Sequence, residues 1–211
     1  MFEATPHDWR PMVLLAGYCG MRFSEIAGLR VRNVDLLRRQ VRVSETAVEV
    51  NGETHFGPPK SRAAARAIAM PKFVAAALET YLATCGAGPD DLVFRTPSGQ
   101  PVGRSNWRNR VWTHAVEKAG LSYLRFHDLR HTHAALLIAQ GEHPKVIQTR
   151  LGHSSISVTL DTYGHLFDGM DEAAAMRLDD LRNAQHADYT RTGDHRRDAP
   201  VLKIPGILQQ T

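Results

Sequence analysis

The chain has 211 residues, 43% of them hydrophobic, enough for one sizeable core and too few for several. Its 26 basic and 22 acidic side chains leave a formal charge of +4, a bias that permits a nucleic-acid partner without requiring one. No apolar run is long enough for a membrane span and no signal-peptide pattern opens the chain. Cys19 and Cys85 sit in apolar surroundings that suit reduced thiols in a cytoplasmic protein.

Behind Thr5-Pro6, apolar residues at Trp9, Met12, Val13, Leu15 and Ala16 predict a helix over 7–20 that Gly17 weakens and Gly20 ends. Arg22 leads into a second short helix, 24–29, with Ser24 as its candidate cap and Ile26 and Leu29 facing the core. From Val41 the period falls to two through Val43, Val48 and Val50. Asn51-Gly52 is a strong hairpin signal, and the chain returns through Thr54 and Phe56. Gly57-Pro58-Pro59 breaks the ribbon, Lys60 sits at a turn, and 67–70 forms a third strand of a small antiparallel sheet. Leu92-Val93-Phe94 is a short extended link. The remainder predicts helices over 72–85, 104–119, 127–140, 144–151, 155–162 and 171–184, with Gly120, Gly141 and Gly152 at helix ends and Pro144 at a start. The fold class is therefore α+β and mainly helical, with a three-stranded antiparallel sheet. Residues 1–185 form one domain and 186–211 a polar tail with an apolar coda at Val201, Leu202 and Ile204.

The segment His127-Asp128-Leu129-Arg130-His131 places His127 and Arg130 three residues apart, on one helix face directed at a common ligand. His153 and Tyr163 follow. An acid-base group, a guanidinium fork, a second imidazole and a phenol form a set suited to phosphoryl transfer at an anion. Each member also has a plainer reading. Arg22 could be a solvated residue paired with Glu25, Arg130 a partner of Asp128 or Asp161, His153 an imidazolium favoured by a helix C-terminus, and Tyr163 a core aromatic. His127 and His131 have the i, i+4 spacing of a zinc pair, but glutamate is replaced by Asp128 and no third ligand is evident, so no metal is expected. Of the 26 basic residues only five are lysine. That excess of arginine suits phosphate recognition, and a GC-rich genome would produce it too.

Five ordered boxes resemble the catalytic domain of the tyrosine recombinases, the phage-integrase family, over residues 7–184. They are Gly20 through Leu29 around Arg22, Lys60-Ser61, His127 through Thr132, Leu151 through Ser155, and Thr159 through Tyr163. The resemblance implies attack by Tyr163 on a DNA phosphodiester, giving a 3′-phosphotyrosyl link and a free 5′-hydroxyl, with no cofactor. It gives Arg22, Arg130 and His153 the non-bridging oxygens, His127 the proton of the phenol, Lys60 the leaving oxygen, and Glu25 a supporting place beside Arg22 or His127. Arg62, Arg104, Arg108, Arg110 and Arg125 are candidate backbone contacts. The expected partners are double-stranded DNA attachment sites, a tetramer of the protein on paired sites, and accessory DNA-bending or directionality factors. Expected too is a tail whose Val201, Leu202, Ile204, Ile207 and Leu208 plug into a neighbouring protomer. The resemblance covers the catalytic domain alone, so the family's N-terminal core-binding domain is expected to lie outside this stretch of sequence. An integrase of a phage or mobile element is the leading reading; a DNA-binding regulator on the same fold, a zinc hydrolase and a topoisomerase are the competitors.

Overall fold

No charged side chain lies between Arg10 and Arg22, and the helix this stretch forms, α1 (Arg10–Cys19), buries Pro11 through Gly17 together with Cys19. A helix apolar on every side belongs inside. The computed structural model describes residues 1–121, 123–167 and 170–192, and the chain divides into two units, Met1–Phe167 and Asp168–Thr211. In the first unit α1 is the pillar. Gly17 sits within it, and it ends at Gly20 with φ +67°, where an added Cβ would come within 2.6 Å of His133 Cδ2. Helix α2 (Phe23–Ala27) follows, with Arg22 rather than Ser24 at its N-cap.

Five strands come next: β1 (Val34–Asp35), β2 (Gln40–Val43), β3 (Thr46–Val50), β4 (Glu53–Gly57) and β5 (Arg66–Ala69). The three-stranded antiparallel sheet is present, but its order is β1-β2-β5, with Val41 opposite both Val34 and Ile68. The Asn51-Gly52 hairpin, β3 with β4, is a separate pair. The expectation had placed the hairpin in the sheet. Burial explains the difference: Val41 and Val43 are at most 2% exposed, whereas Val48 and Val50 are 42% and 49% exposed, so only the first alternation faces a core. Strand β1, two residues long, is too short to show a period.

Helix α3 (Lys72–Cys85) packs on α1. The helix expected over 104–119 is three pieces, α4 (Arg104–Trp107), a π-helical turn (Arg108–Trp112) and α5 (Thr113–Lys118). The extra residue in the π turn keeps both Trp107 and Trp112 turned inward and stacked, 5.8 Å apart. Helices α6 (Asp128–Ala139), α7 (Pro144–Leu151) and α8 (Ile156–Tyr163) complete the first unit, ending in a 3₁₀ turn at Gly164–Phe167. The core gathers Met12, Leu15, Ile26, Ile68, Leu78 and Phe94.

The second unit contains α9 (Met170–Thr192), longer than the expected 171–184 because no glycine or proline interrupts the run. Residues 186–192 are helix rather than tail. The apolar coda, Val201 through Leu208, lies outside the described residues. No helix among the described residues is long and apolar enough to cross a membrane.

Candidate active site

Three helix ends meet where α1 stops, α6 starts and α7 stops. The C-terminal carbonyls of a helix are unpaired and carry partial negative charge, and here they receive guanidiniums. Arg130, 2% exposed, donates to the carbonyls of Gly20 and Leu151. Arg22 donates to Leu151 O at 3.4 Å and to Glu25 Oε1 at 2.9 Å. Gly152 follows in the left-handed region at φ +66°, and an added Cβ would lie 3.0 Å from Ala64 Cα and 2.8 Å from Arg66 Nη1. That position therefore needs glycine twice over, for its backbone and for its space.

Glu25 is the carboxylate at the centre, 2% exposed. It accepts two bonds from Arg66, at 3.0 and 3.1 Å, and its other contacts are the side chain and backbone N–H of Arg22. Burial pushes its pKa up, but the bonds and charges of Arg66 and Arg22 more than offset this and hold it below the usual carboxylate range. The expected support of Arg22 by Glu25 is present; no contact of Glu25 with His127 occurs among the described residues. Arg130 pairs with neither Asp128 nor Asp161. Asp128 is taken by Arg125 at 2.9 Å. Burial and the like charge of Arg22 bring Arg130 down to about 9, so it stays cationic at pH 7. Glu25 thus bonds Arg66 and Arg22 while Arg130 rests on carbonyls, and three guanidiniums against one carboxylate leave an excess of positive charge that an arriving phosphate would neutralise.

The imidazoles and the phenol form the second half. His131 Nδ1 lies 2.9 Å from the hydroxyl of Tyr163, the last residue of α8 and 4% exposed. The ring of His127, the N-cap of α6, stands perpendicular to that of His131 with centroids 5.1 Å apart. The hydrogen bond of the phenol is therefore shared with His131, not with His127, to which the family resemblance assigns the phenolic proton. The reason is helical geometry: residue 131 is one turn beyond 127, on the side from which α8 returns. His153 stacks parallel to Tyr163 at 6.5 Å, and its Nδ1 lies 2.9 Å from Thr159 Oγ1. The plainer reading of His153, an imidazolium favoured by a helix C-terminus, does not hold: burial and the charges of Arg130, Arg22 and Arg66 bring it down to about 4, so it is neutral at pH 7. Partial desolvation, with His131, Arg130 and Arg22 close by, also lowers His127. Burial raises Tyr163, against the pull of Arg130 and Arg22.

Arg104, Arg108 and Arg125 line one open depression of about 1550 Å³ with Arg22 and His127, together with Glu49 of the β3-β4 hairpin. Arg62 and Arg110 are exposed but do not line it. Lys60 is exposed on the loop after β4, and no contact joins it to the cluster among the described residues. No group of three metal-ligating side chains gathers about His127 and His131 among those residues either. Sequence reasoning missed Arg66 and Thr159 and considered His131 only as a zinc ligand. For Arg66 a signal existed, since it shares the inward register of β5 with Ile68.

Residues 3–170 match the model of the phage integrase family. The putative prophage phiRv2 integrase of Mycobacterium tuberculosis (strain ATCC 25618 / H37Rv) is 32% identical over 187 residues, covering 87% of this chain and 49% of the relative. This chain spans about half the length of the curated relatives it matches. A Tn1549 transposon integrase in complex with circular intermediate DNA superposes at a TM-score of 0.69 and 25% identity, covering 81% of this chain and 59% of that one. The catalytic domain of bacteriophage HP1 integrase shares the fold alone, at a TM-score of 0.51 and 20% identity over 80% of this chain and 81% of that one. Family match and fold agree with the clustered arginines, imidazoles and phenol, and the chain belongs to the phage integrase family.

Proposed function

We propose that the protein is a site-specific recombinase of the tyrosine type, cleaving and rejoining DNA through a 3′-phosphotyrosyl intermediate to integrate or excise a phage or mobile element. One observation carries this reading: Arg22 and Arg130 are docked together on the carbonyl of Leu151, in the same cluster that presents the Tyr163 hydroxyl. We assign the chemistry to the domain within residues 1–185. Its substrate is a double-stranded attachment site, its working assembly a tetramer on paired sites with accessory factors, and its place the cytoplasm, where that DNA is.

Arg22 and Arg130 bind the two non-bridging oxygens of the scissile phosphate and stabilise the charge that grows as phosphorus becomes five-coordinate. His153 joins them. With the Thr159 hydroxyl donating to Nδ1, the neutral ring keeps Nε2–H free for a phosphate oxygen. His127, on the wall of the depression beside Arg22, is a further acid-base group at that phosphate. Tyr163 displaces the 5′ oxygen, which takes a proton from Lys60 once DNA draws that exposed loop inward. The phosphodiester energy remains in the phosphotyrosyl bond, so rejoining needs no nucleotide cofactor. Arg104, Arg108 and Arg125 hold the flanking backbone, with Arg62 and Arg110 as outer contacts, and affinity falls as salt rises.

The test is covalent capture on a nicked suicide duplex made from the junction of the element that encodes this protein. An adduct on a denaturing gel that disappears in Tyr163→Phe supports the reading. DNA bound without any adduct would favour a non-enzymatic regulator, and relaxation of supercoiled DNA lacking the junction would favour a topoisomerase.

A further inference from the structure

Tyr163 has to lose a proton as it attacks, and its surroundings make that loss harder. Burial raises the phenol above its ordinary value, and the two arginines that oppose this, Arg130 and Arg22, are those whose charge a bound phosphate would cancel. Substrate binding therefore makes the phenol a weaker acid at the moment it must react. A neutral phenol is a poor nucleophile near pH 7. An acceptor in direct contact is needed, and only one histidine ring has a nitrogen at hydrogen-bond distance from the hydroxyl among the described residues: His131 Nδ1, at 2.9 Å. The ring of His153 is parallel to that of Tyr163 with centroids 6.5 Å apart, no hydrogen bond joins the two among the described residues, and its Nδ1 is engaged by Thr159. His127 meets the edge of His131, not the phenol.

Resting on the recombinase reading, we propose that His131 is a catalytic residue, the group that accepts the Tyr163 proton during strand cleavage and returns it during rejoining. The tyrosine O–H bond breaks toward Nδ1, so the reacting tautomer carries its hydrogen on Nε2. The oxygen electron pair forms the phosphorus–oxygen bond as the bond to the 5′ oxygen breaks. That oxygen leaves with the pair and is protonated by the general acid. His131 is then an imidazolium, and rejoining runs the same transfers backwards. Facing it are His127 and Asp128 from its own helix segment and Tyr163 and His153 from across the cleft. Asp128 is the one anion of this group, although its carboxylate is shared with Arg125.

The experiment follows adduct formation on the nicked junction duplex with the full chain, as a function of pH, in the wild type, His131→Phe and His131→Asn. The Asn amide occupies the place of Nδ1 and keeps a hydrogen bond but is not a base. Gel shift and thermal melting report that each variant still folds and binds DNA. General-base assistance is typically worth 10² to 10⁴ in rate. The expected outcome is a loss of about a hundredfold in both variants at pH 7. Their rates should rise tenfold per pH unit through the alkaline range, where the wild type is level. Replacing Tyr163 by a ring-fluorinated tyrosine, a stronger acid, should then restore much of the His131→Asn rate. His131→Asn cleaving at the wild-type rate would show that the contact only positions the phenol and overturn the assignment. Faster cleavage in His131→Phe would show that it restrains the phenol, overturning it too. A wild type that forms no adduct overturns the recombinase reading and this one with it, whereas an adduct with unchanged variants overturns this one alone.

Discussion

A carboxyl group as buried as Glu25 would ordinarily be driven toward its neutral form by the loss of water. Arg66 prevents this with two bonds to the carboxylate, while its Nε donates to Arg150 O at 2.6 Å and Nη1 to Ala64 O at 2.9 Å. One guanidinium thus ties β5 and the last turn of α7 to the residue that orients Arg22. Removing it leaves a buried carboxylate short of partners, a change that typically costs about 3 to 5 kcal/mol. Arg66→Met should lower the urea midpoint accordingly and slow adduct formation. Pairing it with Glu25→Gln should recover part of the stability, because the orphaned charge is gone. The cleavage rate should stay low, since Arg22 loses its anchor. A Met variant within 1 kcal/mol of the wild type, an order-of-magnitude threshold set by ordinary surface pairs, would show that the network does not depend on Arg66.

Tyr163 is presented by an element of eight residues, α8, and short helices depend on their ends. Ser155 caps it, its hydroxyl accepting from Val158 N at 3.4 Å. Ser155→Ala should cost about 1 kcal/mol, seen as faster amide exchange across 156–163, with Ser155→Asp restoring protection. Unchanged exchange in the alanine variant would mean that packing alone holds α8. Such elements were the legible part of the chain. The unbroken apolar run of α1, the glycines that close α1 and α7, and the box carrying His127 and Arg130 all announce themselves through side-chain pattern. What holds Arg22 and Arg130 in place does not, because Gly20 and Leu151 contribute backbone carbonyls, and any residue type has one. Arg66 escapes a reading by alternation because the apolar run that marks the strand, 67–70, begins one residue after it. It faces inward with Ile68, while Ala67 and Ala69 take the other face of β5. The π turn at Arg108–Trp112 has no glycine or proline to mark it, and β1 is too short for a period.

Over the first unit, three histidines, His127, His133 and His153, are set toward the neutral side. His133, 3% exposed and bonded by Arg150 Nε through its Nε2 at 3.3 Å, is brought down to about 4 by burial, with Arg150 and Arg130 adding to the effect. His153 is likewise about 4 and His127 is lowered. The linkage follows from proton counts. A histidine that titrates near 6.5 when unfolded and lower when folded binds more protons in the unfolded state, so stability rises with pH across that interval. Its contribution is complete above about 6.5 and is lost as pH falls toward 4. For His133 alone, going from pH 7 to pH 5 should cost about 2 kcal/mol, while the more exposed His153 and His127 add less. Urea unfolding at the two pH values measures this directly. In His133→Gln, where an amide keeps a polar group against Arg150 without a titrating proton, the difference between pH 7 and pH 5 should shrink by about that amount. An equal loss in the variant and the wild type would place the acid sensitivity of this interval elsewhere, in His153 and His127. The carboxylates Glu25 and Asp128 are also held below their usual range, and their contribution is lost only at lower pH still.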